Sequence, residues 1–206
     1  MSSARQSAIW ELRTQQVLLP KSGFEASECE DSIGSDEQNC RFAVADGATE
    51  AFDARNWAQR LANNWVRSNT DLTPEAFNEW VASEGLKLHS SWKQLTLSWY
   101  AEEKARTGSF AAFVGVELDL RTETPTWKAI ALGDACLLHC RNDALIKSLP
   151  LANSANFNSV PILVASDPSI YKSNEQSLVI ESGSCENNDV LFLVSDAAAA
   201  WYLERF

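Results

Sequence analysis

The chain is poor in the residues that usually hold soft metals. It has two histidines, His89 and His139, and its five cysteines (Cys29, Cys40, Cys136, Cys140 and Cys185) contain no Cys-x-x-Cys pair. An odd count without that spacing argues against a zinc site and against a disulfide framework. Both histidines are expected to be structural or surface groups, and Cys136 and Cys140 read as small core residues on one face of a strand. Basic residues are also scarce, with 17 Lys and Arg against 28 Asp and Glu and a net charge of −11. Nucleic acid is therefore not expected as a partner, because phosphate-backbone binding relies on Lys and Arg clusters. No apolar run is long enough to span a bilayer, so no membrane partner is expected. The opening stretch "MSSARQSAIWELRTQQ" lacks the apolar core of a signal peptide, and a cytoplasmic location is expected.

What is present suits an ordinary folded protein. Hydrophobic residues make up 45% and charged residues 22% of 206, which predicts one domain over residues 1–206 with a sizeable core, and a monomer. A short apolar strand over 40–45 ends at Asp46-Gly47. A helix is expected from about Glu50, with an apolar stripe through Trp57, Leu61 and Trp65. A second helix is capped by Thr73 with Pro74 at its first position. Leu88, Trp92, Leu95 and Trp99 are expected to continue its buried face, with Gly85 as a candidate interruption. The tryptophans of this stretch fit packing against a sheet; a ligand platform, for a sugar for example, is the competing reading.

From "SFAAFVGVEL" onward the pattern is that of strands. Gly133-Asp134 and Asn142-Asp143 each sit between apolar runs and predict hairpins. Residues 150–160 and 166–177 read as loops. "NDVLFLVS" is a last strand ending at Asp196, followed by the opening of a helix. Hairpin-linked strands beside grouped helices predict an α+β fold with antiparallel sheets.

Three aspartates share one setting: Asp46 after "FAVA", Asp134 after "AIALG" and Asp196 after "LFLVS", with Glu30-Asp31 ahead of the first of these strands. Each alone is an ordinary turn residue. Gathered at one sheet edge they would repel, by about 4 kcal/mol for two charges about 4 Å apart at an effective dielectric of about 20. Such a group takes up protons or binds cations. All-oxygen ligands favour Mg²⁺ or Mn²⁺ over zinc, and Gly47 lets a backbone carbonyl come close to an ion.

The ordered pieces "CEDSIG", "FAVADGATEAF", "TGSFAAFVGVELD", "AIALGDACLLHCRND" and "DVLFLVSDA" resemble the metal-dependent Ser/Thr protein phosphatases of type 2C, in their bacterial form, over residues 21 to 200. The resemblance implies a four-layer α-β-β-α sandwich of two antiparallel sheets flanked by helices. It implies hydrolysis of phosphoserine or phosphothreonine in a protein substrate by water activated between two Mn²⁺ or Mg²⁺ ions, with a third ion in some members. In that pattern Asp46 bridges two ions and the Gly47 carbonyl binds one of them. Asp196 binds the other, Glu30 and Asp31 hold waters on the ions, and Asp134 stands near the third site. Asp46 and Asp196 would be the catalytic pair.

Several positions depart from the pattern. Ala48 stands where many members have a histidine proposed as a general acid, and Ala197 replaces the glycine of Ser-Asp-Gly. The family's further metal-binding Asp lies tens of residues beyond that motif, whereas this sequence continues for ten residues after Asp196. The C-terminal part of the sandwich is therefore expected to be absent. The phosphate-binding Arg has no clear match, and Lys21 is the nearest basic residue. These departures leave a second reading open, a phosphatase-like regulatory or binding module with impaired catalysis.

Overall fold

The computed structural model describes residues 10–20, 23, 25–157, 161–167, 169 and 177–205. In chain order the elements are β1 (Asp31–Asp36), β2 (Arg41–Gly47), α1 (Ala54–Arg67), α2 (Pro74–Trp92), α3 (Trp99–Thr107) and β3 (Phe110–Asp119). They continue with β4 (Thr126–Leu132), β5 (Cys136–Arg141), β6 (Ala144–Leu149), β7 (Val164–Ala165), β8 (Val179–Ser184), β9 (Val190–Val194) and α4 (Asp196–Leu203). One sheet runs β1-β2-β3-β4-β8, with β7 also paired to β3; the other runs β6-β5-β9. Every pairing is antiparallel.

Strand alternation sorts side chains into three apolar layers. Ala43, Ala45, Ala111 and Phe113 face α1 and α2, where Trp57, Leu61, Trp65, Phe77 and Leu88 are buried. Phe42, Val44, Val114 and Val116 face the other way and meet Leu137, Leu191 and Leu193 of the smaller sheet. On the far side of that sheet Cys136 and Leu138 pack against Ala199 and Leu203 of α4. The result is the expected α+β arrangement, two antiparallel sheets face to face with helices outside. α1 lies close on its sheet because β1 presents Gly34 beneath it; a Cβ there would sit 2.1 Å from the Ala62 carbonyl oxygen.

The Thr73 cap is present, with its hydroxyl accepting from the Ala76 N–H at 3.2 Å and Pro74 opening α2. The Asn142-Asp143 hairpin is present too, both residues taking positive φ (50° and 63°), as a two-residue turn between twisted strands requires.

Several expectations fail. Gly133-Asp134 does not close a hairpin, because β4 and β5 belong to different sheets. Gly133, at φ 99°, lets the chain turn from the large sheet into the small one. α1 begins at Ala54 rather than near Glu50, because Asp53 adopts a left-handed conformation (φ 57°). The Asp53 carboxylate accepts from Trp92 Nε1 at 2.7 Å and Asn56 Nδ2 at 2.6 Å, tying the start of α1 to the end of α2. The second helix ends at Trp92, so Leu95 and Trp99 do not extend its buried face; they are 54% and 77% exposed. Gly85 does not interrupt α2. It lies against the Ser166 carbonyl, which a Cβ would approach to 2.0 Å. β1 and β8 have no counterpart in the expected pattern, since "DSIGSD" and "VIESGS" carry few apolar residues.

Candidate metal centre

The predicted acidic residues come from both sheets and meet at one end of the cleft between them. Asp31 opens β1 and is paired in register with Asp46 of β2. Ile33 and Val44 of these strands point into the inter-sheet layer. Asp31 and Asp46 lie two residues from them and take the same face by alternation. From the other sheet, Leu193 sits in that layer, so Ser195 faces the same cleft; its Oγ donates to Asp31 Oδ2 at 3.2 Å. Asp196 follows as the first residue of α4, where the helix N-terminus favours negative charge. Asp134 sits on the crossover between the sheets.

The electrostatics record this convergence. Burial, then Asp31, Asp196 and Asp134, push the Asp46 carboxyl up to about 8. Burial and the Asp196 charge also raise Asp134. The charged groups acting on Asp46 are therefore all acidic, and a carboxyl so placed either holds a proton or gives it up to a cation.

The loop after β2 closes around the same point. Gly47 N–H donates to the Glu30 carbonyl at 3.3 Å, and a Cβ on Gly47 would fall 2.8 Å from the Ala54 carbonyl oxygen and 3.1 Å from that of Glu30. Only glycine fits there. Glu30 Oε2 accepts from Thr49 Oγ1 at 2.6 Å. Thr49 and Ser195 thus orient two of the acids. Neither carries a signal of its own in the sequence beyond adjacency to the acidic strand ends. Lys21 lies outside the described residues.

The donor set is oxygen only, with carboxylates from Asp31, Asp46, Asp134 and Asp196 and Glu30 nearby. That composition fits hard divalent ions. Among the described residues the compact trio with all ligand atoms within 4.8 Å is a different one, His139, Cys185 and Asp189. Its hydrogen bonds leave no lone pair on the imidazole. Trp127 Nε1, which can only donate, points at His139 Nδ1 at 3.2 Å. His139 Nε2 must then carry the proton and donate to Asp189 Oδ2 at 2.8 Å. Arg141 holds the same carboxylate through two bonds of 2.8 and 2.7 Å and keeps it well below the usual carboxylate range. This is a buried structural network, as expected for His139. His89 is likewise structural, its Nε2 lying 2.8 Å from Ser166 Oγ.

No family model matches the chain, and no curated protein matches it in sequence. Among solved structures it is similar to the catalytic domain of the serine threonine protein phosphatase PstP in complex with two manganese ions, with a TM-score of 0.56 and 12% identity over 84% of this chain and 74% of that one. It is also similar to the photosystem II phosphatase PBCP, with a TM-score of 0.50 and 18% identity over 80% of this chain. The chain spans 58% of the length of that second structure. At these identities the likeness concerns the fold, and the chain has the α-β-β-α sandwich fold of these phosphatases.

Proposed function

We propose that the chain is a metal-dependent protein phosphatase that hydrolyses phosphoserine or phosphothreonine. The observation that carries this reading is the convergence of Asp31, Asp46, Asp134 and Asp196 on one end of the inter-sheet cleft. Asp46 and Asp196 would hold a pair of Mn²⁺ or Mg²⁺ ions, with the Gly47 carbonyl as a further ligand and Asp134 beside a third position. Bound ions of this kind supply a strong nucleophile from water at neutral pH and offset charge on the phosphoryl oxygens.

The chain's own residues have three tasks in this reading. Asp46, half-buried between the sheets, gives up its proton on loading. Asp31 and Glu30, oriented by Ser195 and Thr49, position solvent at the cleft mouth. Ala48 has no group to protonate the leaving alkoxide, so that proton comes from solvent. Lys21 remains a candidate for the phosphate.

The test is turnover of p-nitrophenyl phosphate and of a phosphoserine peptide with Mn²⁺; absence of metal-dependent turnover of both would defeat the enzymatic reading. A second reading, a phosphatase-like module with impaired catalysis, is favoured by one observation: all the charged groups acting on Asp46 are acidic, so among the described residues no cation offsets them. Mn²⁺ binding by calorimetry without turnover would select it.

A further inference from the structure

Leaving the two-residue β7 aside, four strands end a sheet among the described residues: β1 and β8 in the large sheet, β6 and β9 in the small one. An open edge offers unpaired N–H and C=O groups to any extended chain, and charges along it discourage such pairing. Three of the four edges carry that protection. β1 has Asp31 and Asp36, β6 has Lys147, and β8 has Glu181. β9, "VLFLV", has no charged or polar side chain. Among the described residues its backbone bonds only to β5. Val190 and Phe192 are 44% and 42% exposed, on the face where the Phe192 ring lies 6.0 Å from that of Tyr202 in α4. Leu191 and Leu193 belong to the inter-sheet layer, yet they too are only partly buried. Both faces of the small sheet are therefore short of an apolar neighbour at this edge.

We propose that this edge binds a second copy of the chain, β9 against β9, antiparallel about a two-fold axis at Phe192, in place of the monomer expected from composition. The strand reads the same in both directions. Pairing about Phe192 sets Val190 against Val194, Leu191 against Leu193 and Phe192 against Phe192, so each apolar side chain meets one of its own shape on its own face. A two-fold contact needs a patch that is complementary to itself, and β9 meets that condition. β1 does not, since pairing it on itself about its middle would oppose Asp31 and Asp36. Just beyond β9 the same register places Asp189 opposite Ser195 and Asn188 opposite Asp196, so no like charges meet. The dimer joins the two small sheets into one, in the order β6-β5-β9-β9-β5-β6. The antiparallel pairing puts the two copies of Asp196 at opposite ends of the shared ladder, so each acidic site keeps its own side of the dimer.

The test is sedimentation velocity of the whole chain from micromolar to hundreds of micromolar. The wild type is expected to pass reversibly from monomer to dimer as concentration rises. Phe192→Lys opposes two ammonium groups at the axis, and it is expected to stay monomeric throughout with wild-type far-ultraviolet circular dichroism. Ile146→Lys on β6, similarly exposed at 47% and with the same change of charge, is expected to dimerise as the wild type does. Amide hydrogen exchange of residues 190–194 in the wild type is expected to slow with concentration, because pairing shields the open edge. Should Phe192→Lys fail to fold, that exchange measurement decides. A wild type that is monomeric at every concentration would overturn the dimer and leave the edge to a strand of another protein. Dimerisation that survives Phe192→Lys, that Ile146→Lys removes equally, or that leaves exchange in β9 unchanged would overturn the assignment to this edge.

Discussion

Asp31 and Asp46 stand opposite each other on adjacent antiparallel strands, and both belong to the face that looks into the cleft between the sheets. Two acids in that relation, both half-buried, cannot both be charged at little cost. A proton or a bound cation relieves the pair, and the choice between them couples pH, stability and metal binding.

The first consequence is a pH dependence of the metal-free protein. The folded-state value of Asp46 lies near 8 against an ordinary 3.8. The folded form therefore holds a proton that the unfolded chain has lost through that interval. The stability associated with Asp46 is full below about pH 4 and falls as pH rises towards 8. Asp134 acts in the same direction. Asp189, held low by Arg141, acts oppositely, and its contribution is lost only as pH falls below about 4. Melting temperature without metal is expected to decline between about pH 5 and about pH 8, and Asp46→Asn to flatten that decline. Parallel curves for the two proteins would contradict it.

Asp46→Asn and Asp196→Asn should each abolish Mn²⁺-dependent phosphatase turnover while the far-ultraviolet circular dichroism stays that of the wild type. Asp46→Asn should also raise metal-free stability at neutral pH, because it removes a repelled carboxyl. Wild-type rates in both variants would show that these side chains are not ligands.

Gly47→Ala tests the close approach of backbone at the site. The added Cβ would lie 2.8 Å from the Ala54 carbonyl oxygen at the start of α1, and backbone cannot swing away as a flexible side chain can. A loss of about 1–3 kcal/mol in urea unfolding is expected, together with weaker Mn²⁺ binding. Unchanged stability and affinity would mean that the loop has room to spare.

The Trp127–His139–Asp189–Arg141 network should behave as structure. Asp189→Ala strands a buried imidazole N–H and leaves the Arg141 guanidinium only its contacts to Glu186 and the Ser184 carbonyl, at an expected cost of about 3 kcal/mol, with turnover per folded molecule unaltered. Zinc should not protect Cys185 from thiol reagents, since His139 offers no lone pair. Protection by zinc would contradict the assigned tautomer.

How far these features are legible in the sequence depends on whether they are local. The Thr73-Pro74 helix start and the Asn142-Asp143 turn are fixed by neighbouring residues, and both can be read directly. The acidic site is legible because each aspartate ends an apolar run, although the residues that orient it (Thr49 and Ser195) depend on contacts distant in sequence. Gly133-Asp134 has the composition of a hairpin turn, yet no local signal distinguishes a turn within a sheet from a step between two sheets. β1 is hard to see because it is an edge strand in which Gly34 yields its volume to α1. Trp99 misleads because helical spacing from Trp92 continues through a break; Ser98 caps a new helix there, its hydroxyl accepting from the Ala101 N–H.

The most direct measurement is isothermal titration of the metal-free protein with Mn²⁺ near pH 7 in two buffers of different ionisation enthalpy. The expected result is binding of two ions with release of a proton, seen as a buffer-dependent heat, and loss of both the proton release and the tighter binding in Asp46→Asn. Binding without proton release, or no binding at millimolar Mn²⁺, would contradict a metal centre built on Asp46.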